Sequence, residues 1–228
     1  MSERIEKILA RELNEPRSRV KTLLQKGQVT VDGVVARAGQ QADPDTQEIC
    51  LAGEPIACRA FVYLMLNKPT GVLSATDGKG EPTVLDLVPS ALRRKGLFPA
   101  GRLDKDTTGL LLLTDDGSLA HRLLSPKQHV AKVYLAQVDG RVTQEDVRAL
   151  AQGMVLGDGL RCLPAGLEPL GDGSSCLVTL HEGKYHQVKR MLAARGKPVT
   201  ALRRISMGPV QLDPDLAPGA WRPLSAEE

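Results

Sequence analysis

Aromatic residues are scarce in this chain, with two Phe, three Tyr and one Trp in 228 residues. Each ring therefore counts, and a tyrosine beside a lysine, as in Lys132-Val133-Tyr134, reads either as a core residue or as a surface on which a base could stack. Cysteine is scarce too. Cys50, Cys58, Cys162 and Cys176 form no C-x-x-C pair, and no histidine stands at finger-like spacing from them. That excludes the common zinc modules and leaves reduced thiols. No apolar run approaches the roughly 18 residues of a membrane span, and the N-terminus is charged from its third residue with no apolar signal core. These absences predict a cytoplasmic protein without a membrane partner, a metal or another cofactor.

The formal net charge is only +3, so composition alone does not announce a nucleic-acid partner. The distribution of charge says more. Residues 1–26 hold Arg4, Lys7, Arg11, Arg17, Arg19, Lys21 and Lys26 against four glutamates, and residues 184–204 hold seven cations and no acid. Two separate basic stretches on a near-neutral chain point to local anionic sites.

The first segment reads as a small module. Ile5, Ile8, Leu9 and Leu13 recur at helical spacing, Pro16 breaks the helix, and Ser18 can cap a second one that carries Val20, Leu23 and Leu24 and stops at Gly27. Val29 to Val35 then alternate around Asp32-Gly33, a hairpin signal, and Ile49-Cys50-Leu51 reads as a strand. A composition break over residues 53–60 predicts domains at 1–58 and 59–228. Beyond it, strands are predicted at Phe61–Leu66, Leu110–Leu113, Val130–Val138, Cys176–Leu180 and Val199–Ile205. Helices are predicted at Ser118–Leu124, after Thr143, and at His186–Arg195. Two Leu-Gly-Asp-Gly segments read as turns. The mixture predicts an α+β fold with a mixed, largely antiparallel sheet flanked by helices.

Three segments carry chemistry. Gly101-Arg102-Leu103-Asp104-Lys105-Asp106-Thr107-Thr108-Gly109 offers two carboxylates, an arginine and two hydroxyls just before a buried strand, a good way to fix a reactive carboxylate. On residue types alone it could equally be a polar turn with a capping aspartate. In Glu182 to Met191, Val188, Met191 and Leu192 share an inward face and Lys189 lies at its flank, where a cation can reach a cleft. A solvated cationic face is the plainer alternative. Lys132-Val133-Tyr134 is the third.

Together these segments resemble the RsuA/RluB/E/F family of RNA pseudouridine synthases. Gly101 to Leu110, followed by Leu113-Thr114-Asp115-Asp116-Gly117, matches the family's catalytic motif, and Leu64 to Gly71 looks like its opening segment. Residues 1–52 resemble an S4 RNA-binding domain, with Arg4-Ile5-Glu6-Lys7 where such domains usually read Arg-Leu-Asp-Lys. The resemblance implies Asp104 as the catalytic carboxylate, Tyr134 stacking on the target base, Lys189 pairing with Asp104, and Arg102 at the flipped nucleotide. It implies phosphate contacts from Arg4, Ser18, Arg19, Lys21, Lys26 and Arg190, and no cofactor. The form Tyr185-His186-Gln187-Val188-Lys189-Arg190-Met191 is similar to the branch acting on small-subunit (16S) ribosomal RNA, at the uridine called 516. The large-subunit (23S) branch more often reads Asn-Arg-Gln there. A monomer acting on ribosomal RNA, free or in a partly assembled small subunit, is expected.

Two other readings compete. Asp104-Lys105-Asp106-Thr107-Thr108 fits the Asp-x-Asp-x-Thr form of haloacid-dehalogenase phosphatases, but that chemistry needs the first aspartate at the end of a buried strand to approach Mg²⁺, and Pro99 to Arg102 read as a loop. A non-catalytic S4 RNA-binding factor explains the first module and leaves residues 99–117 without a reason.

Overall fold

The computed structural model describes every residue except Met1, Asn14, Ala57, Arg59, Ala60, Arg94, Lys95 and Ala226. The chain folds as two compact units, residues 1–62 with 89–97, and residues 63–88 with 98–228. The expected break after residue 58 falls among residues 57, 59 and 60, which lie outside the described residues.

In the N-terminal unit, helices α1 (Ile5–Glu12) and α2 (Arg17–Gln25) lie with a small sheet ordered Val34–Val35, Val29–Val31, Ile49–Leu51, Glu54–Pro55. Ile5, Ile8, Leu9, Val20, Leu24, Val29, Val31 and Ile49 form its core. Each such aliphatic contributes about 1.5–3 kcal/mol by leaving water. Asp32 and Gly33 both take positive φ, 50° and 78°, which is the turn that matches the twist of a two-residue hairpin. Ser18 does not cap α2, contrary to expectation. Pro16 is the N-cap, its carbonyl accepts from the N–H groups of Arg19 and Val20, and Ser18 already lies within the first turn. The rigid proline sets the helix start two residues before the serine could.

The C-terminal unit is built on a nine-stranded sheet. Its main order is Gly166–Leu170, Ser175–Leu180, Lys132–Val138, Val199–Met207, Thr108–Thr114, Tyr63–Lys68, Trp221–Pro223. Neighbours are antiparallel except at one junction, where Arg203 and Arg204 pair in parallel with Thr108 and Gly109. Leu110 to Leu113 are buried without a break, as expected of a strand covered on both faces. Helix α3 (Gly117–Leu124) is capped by Asp116, whose Oδ1 accepts from the Ser118 and Leu119 N–H groups while Tyr63 Oη donates to Oδ2. Helix α4 (Gln144–Ala151) opens on the expected capping box between Thr143 and Asp146.

The first strand of this sheet runs two residues later than the apolar pattern predicts. Asn67 and Lys68 read as a strand end, yet both continue the ladder, opposite Leu110 and Gly109. Buried polar groups can do this only when partnered. Asn67 Nδ2 donates to the Leu216 carbonyl at 2.6 Å, and Lys68 has three carbonyl partners described below.

Candidate active site

The loop 101–107 is anchored from both ends of the segment 68–74. Lys68 is fully buried, and its Nζ donates to the carbonyls of Pro69 (3.0 Å), Lys105 (3.2 Å) and Thr107 (3.0 Å). The Gly71 N–H also donates to the Lys105 carbonyl. Ser74 Oγ donates to the Leu103 carbonyl and accepts from the Leu103 N–H, clamping the residue just before Asp104. A loop whose backbone is tied down at 103, 105 and 107 holds the side chain at 104 in a fixed place.

The Asp104 carboxylate meets two groups from one short segment. Lys189 Nζ lies 3.3 Å from its Oδ2, and His186 Nε2 lies 3.4 Å from its Oδ1. Lys189 also reaches Asp106, at 2.6 Å, and its hydrogen bond there holds the Asp106 carboxyl below the usual carboxylate range. The lysine thus bridges both carboxylates and lies nearer Asp106, which is well exposed. Helix α5 (Gln187–Ala194) buries Val188, Met191 and Leu192, so Lys189 leaves it at the edge of that face. Gln187 and Glu182 brace the preceding turn: Gln187 Nε2 donates to Glu182 Oε1, which also accepts from the Leu163 N–H. His186, expected inside the helix, is its N-cap and takes a left-handed backbone, φ 47° and ψ 34°. That conformation costs a non-glycine residue about 1–2 kcal/mol, and such strain clusters at functional sites.

Tyr134 is nearly buried on the strand Lys132–Val138, 8% exposed. It stands opposite Val178 on one side and Arg204 on the other, Arg204 stands opposite Gly109, and Gly109 opposite Lys68. One row of the sheet therefore runs from Tyr134 to the lysine that anchors the Asp104 loop. Arg204 is buried and its Nε donates to the Leu110 carbonyl. Two buried polar atoms of this region, Arg204 Nη2 and Thr107 Oγ1, have no hydrogen-bond partner. Arg102 is exposed.

The basic stretch 184–204 is partly engaged within the protein. Arg190 pairs with Asp158 at 2.5 Å, Arg195 with Glu145 and Asp146, and Arg204 is buried. Two of its four arginines, Arg190 and Arg195, pair with acids from positions 145–158. In the N-terminal unit, by contrast, Arg4, Ser18 and Lys21 line one cavity with Ser2, Glu3, Glu6, Lys7 and Arg17. Arg19 and Lys26 are exposed but do not line it.

Lys68 and Ser74 carry the loop and were not singled out from the sequence as site residues. The one available signal for Lys68 was a lysine ending an otherwise apolar strand. Burial pushes its ammonium down to about 8, although Asp106 and Asp104 pull the other way. At neutral pH it is charged, with three N–H donors for three carbonyls. Above about pH 8 it keeps two. Turnover is therefore expected to fall as pH rises through about 8. Lys68→Met is expected to cut kcat by about 10- to 100-fold, since the Pro69 and Thr107 carbonyls lose this donor, while Lys105 keeps the Gly71 N–H, and an unpaired buried carbonyl costs about 1–3 kcal/mol. Single-turnover rates against pH check both, and an unchanged rate and profile in the variant would remove Lys68 from the account.

Comparison with known proteins identifies both domains. Residues 62–194 match the RNA pseudouridylate synthase family and residues 3–47 match the S4 domain. The chain is 48% identical to an uncharacterised RNA pseudouridine synthase, YtzG, of Bacillus subtilis, covering 99% of this chain and 96% of that one. It is 44% identical to the ribosomal small subunit pseudouridine synthase A of Pasteurella multocida (99% and 97% covered) and 39% identical to that of Escherichia coli (99% and 97% covered). A crystal structure of a pseudouridylate synthase superposes with a TM-score of 0.68 at 38% identity, over 98% of this chain and 96% of that one. The chain belongs to the RNA pseudouridine synthase family, with an S4 domain preceding the synthase domain.

Proposed function

We propose that this enzyme converts one uridine of small-subunit (16S) ribosomal RNA to pseudouridine, with Asp104 as the reacting carboxylate. The observation that carries the role of Asp104 is its placement: a partly exposed carboxylate on a loop tied down by Lys68 and Ser74, with Lys189 and His186 in contact. The substrate follows from full-length similarity to the small-subunit synthases named above.

The reaction breaks the N1–C1′ bond, turns the uracil and joins C5 to C1′. A single carboxylate suffices, as a nucleophile at C1′ or as the base that removes the C2′ proton. Lys189 and His186 lie against its two oxygens and hold it in one orientation. The uridine must leave its stack to reach Asp104, and Tyr134 supplies the ring on which it rests. Arg102, exposed two residues before Asp104, contacts the flipped nucleotide. A 16S transcript, or a partly assembled small subunit, incubated with the purified protein should gain one pseudouridine, at the position called 516. Conversion of 23S RNA with 16S RNA untouched would overturn the substrate.

The N-terminal cavity supplies phosphate contacts through Arg4, Ser18 and Lys21, with Arg19 and Lys26 beside it. Each lysine or arginine contact to phosphate releases counterions, at about 0.7–0.9 in the slope of log affinity against log salt. The double variant Arg4→Ala/Lys21→Ala is expected to bind RNA about tenfold more weakly near 0.15 M salt, with a slope shallower by about 1.5. Filter binding across a salt series measures this. An unchanged slope would mean that these cations do not meet phosphate.

A further inference from the structure

We propose that Tyr185, backed by His186, is a second stacking platform that binds an unpaired RNA base next to the flipped uridine. The proposal rests on the pseudouridine synthase reading above and deepens it. Tyr185 is 74% exposed, whereas Tyr134 is buried to 8%. Its ring lies flat on the His186 ring, with centroids 3.8 Å apart and planes 17° from parallel. Adjacent residues seldom stack face to face, and here His186 adopts the left-handed conformation between the loop and α5. The same imidazole touches Asp104 through Nε2, 3.4 Å away. One face of the tyrosine is thus covered by a ring that contacts the reacting carboxylate, and the residue as a whole is largely open to solvent.

An exposed aromatic held rigid by a neighbour loses little freedom on binding, and every base offers it a π-face. Any RNA that delivers a uridine to Asp104 must leave the flanking nucleotides within a few ångströms of the His186–Tyr185 pair. Flipping one base also deprives its neighbours of a stacking partner, and Tyr185 replaces that partner. The occupant is a nucleobase, because the platform adjoins a carboxylate that only a ribose-linked uracil is to reach. Tyr185 would then bind and position substrate without taking part in bond making.

The test uses full-length protein with a 16S fragment that carries 2-aminopurine beside the target uridine, together with steady-state kinetics on the unlabelled RNA. Wild type should quench the 2-aminopurine on binding. Tyr185→Ala should lose that quenching and raise KM by about 5- to 100-fold, with kcat changed less than about threefold. Tyr185→Phe should keep both within about twofold, since the ring and not the hydroxyl does the stacking. Unchanged KM and quenching in Tyr185→Ala would overturn the platform while leaving the chemistry at Asp104 in place, as would a Tyr185→Phe variant as defective as the alanine. A wild-type enzyme that forms no pseudouridine in this RNA would instead overturn the functional reading, and the platform with it.

Discussion

Asp104→Asn is expected to lower turnover by at least about 10³-fold while RNA affinity stays within about tenfold. Asparagine keeps the size of the side chain and retains one acceptor oxygen, enough to face one of the two groups, Lys189 and His186, that flank the carboxylate. It can neither attack C1′ nor hold a proton taken from C2′, and a positioned acid or base is worth about 10²–10⁴-fold. Affinity is spared because phosphate contacts supply most of it. Asp106→Asn should be far milder. Asp106 draws Lys189 closer than Asp104 does, at 2.6 against 3.3 Å, so its loss frees the lysine for Asp104. Stopped-time pseudouridine assays and parallel binding curves separate the two effects. Equal loss in both variants would point to a paired-carboxylate mechanism.

Gly109→Ala should produce the second large effect, on folding. Gly109 has φ +97°, and a Cβ placed there would lie 2.2 Å from the Arg204 carbonyl oxygen and 2.9 Å from the Arg204 nitrogen. Both are backbone atoms of the parallel neighbour, so no rotamer relieves the clash. The strand must move away at the one parallel junction of the sheet, beside the loop that carries Asp104. We expect a loss of about 4 kcal/mol, in the range reserved for strain at special backbone positions, and a urea midpoint lower by about 1–2 M. A stable, active alanine variant would show that the junction is not as close as described.

Much of this architecture is legible in the residues themselves. Periodicity, with the break at Pro16 and the Thr143 capping signal, locates the five α-helices of the described residues to within a few residues. The buried Leu110–Leu113 run is equally plain. What is not legible depends on residues far apart. No pattern announces that Arg203–Arg204 would pair in parallel with Thr108–Gly109, or that residues 89–97 would belong with the first unit. Two- and three-residue strands such as Arg161–Cys162 and Trp221–Pro223 are too short to show a period.

The site divides the same way. Asp104, Tyr134 and Lys189 are singled out in the sequence by the family resemblance of their segments, not by residue pattern alone. Lys68 and Ser74 stay hidden because their roles exist only once residues 68–74 are folded against 103–107. The partners within the basic stretch are hidden for a related reason. Charge sign can be read along the chain, but the acids that occupy Arg190 and Arg195 come from positions 145–158.

The central claim, that Asp104 isomerises a uridine of small-subunit RNA, meets its most direct test in the cell. Pseudouridines are mapped by carbodiimide adducts and primer extension across both ribosomal RNAs, in a strain lacking the gene and in the same strain carrying either the wild-type or the Asp104→Asn gene. The expected result is one small-subunit pseudouridine missing in the deletion, restored by wild type and not by the variant. Restoration by Asp104→Asn, or an intact small-subunit map in the deletion strain, would contradict it.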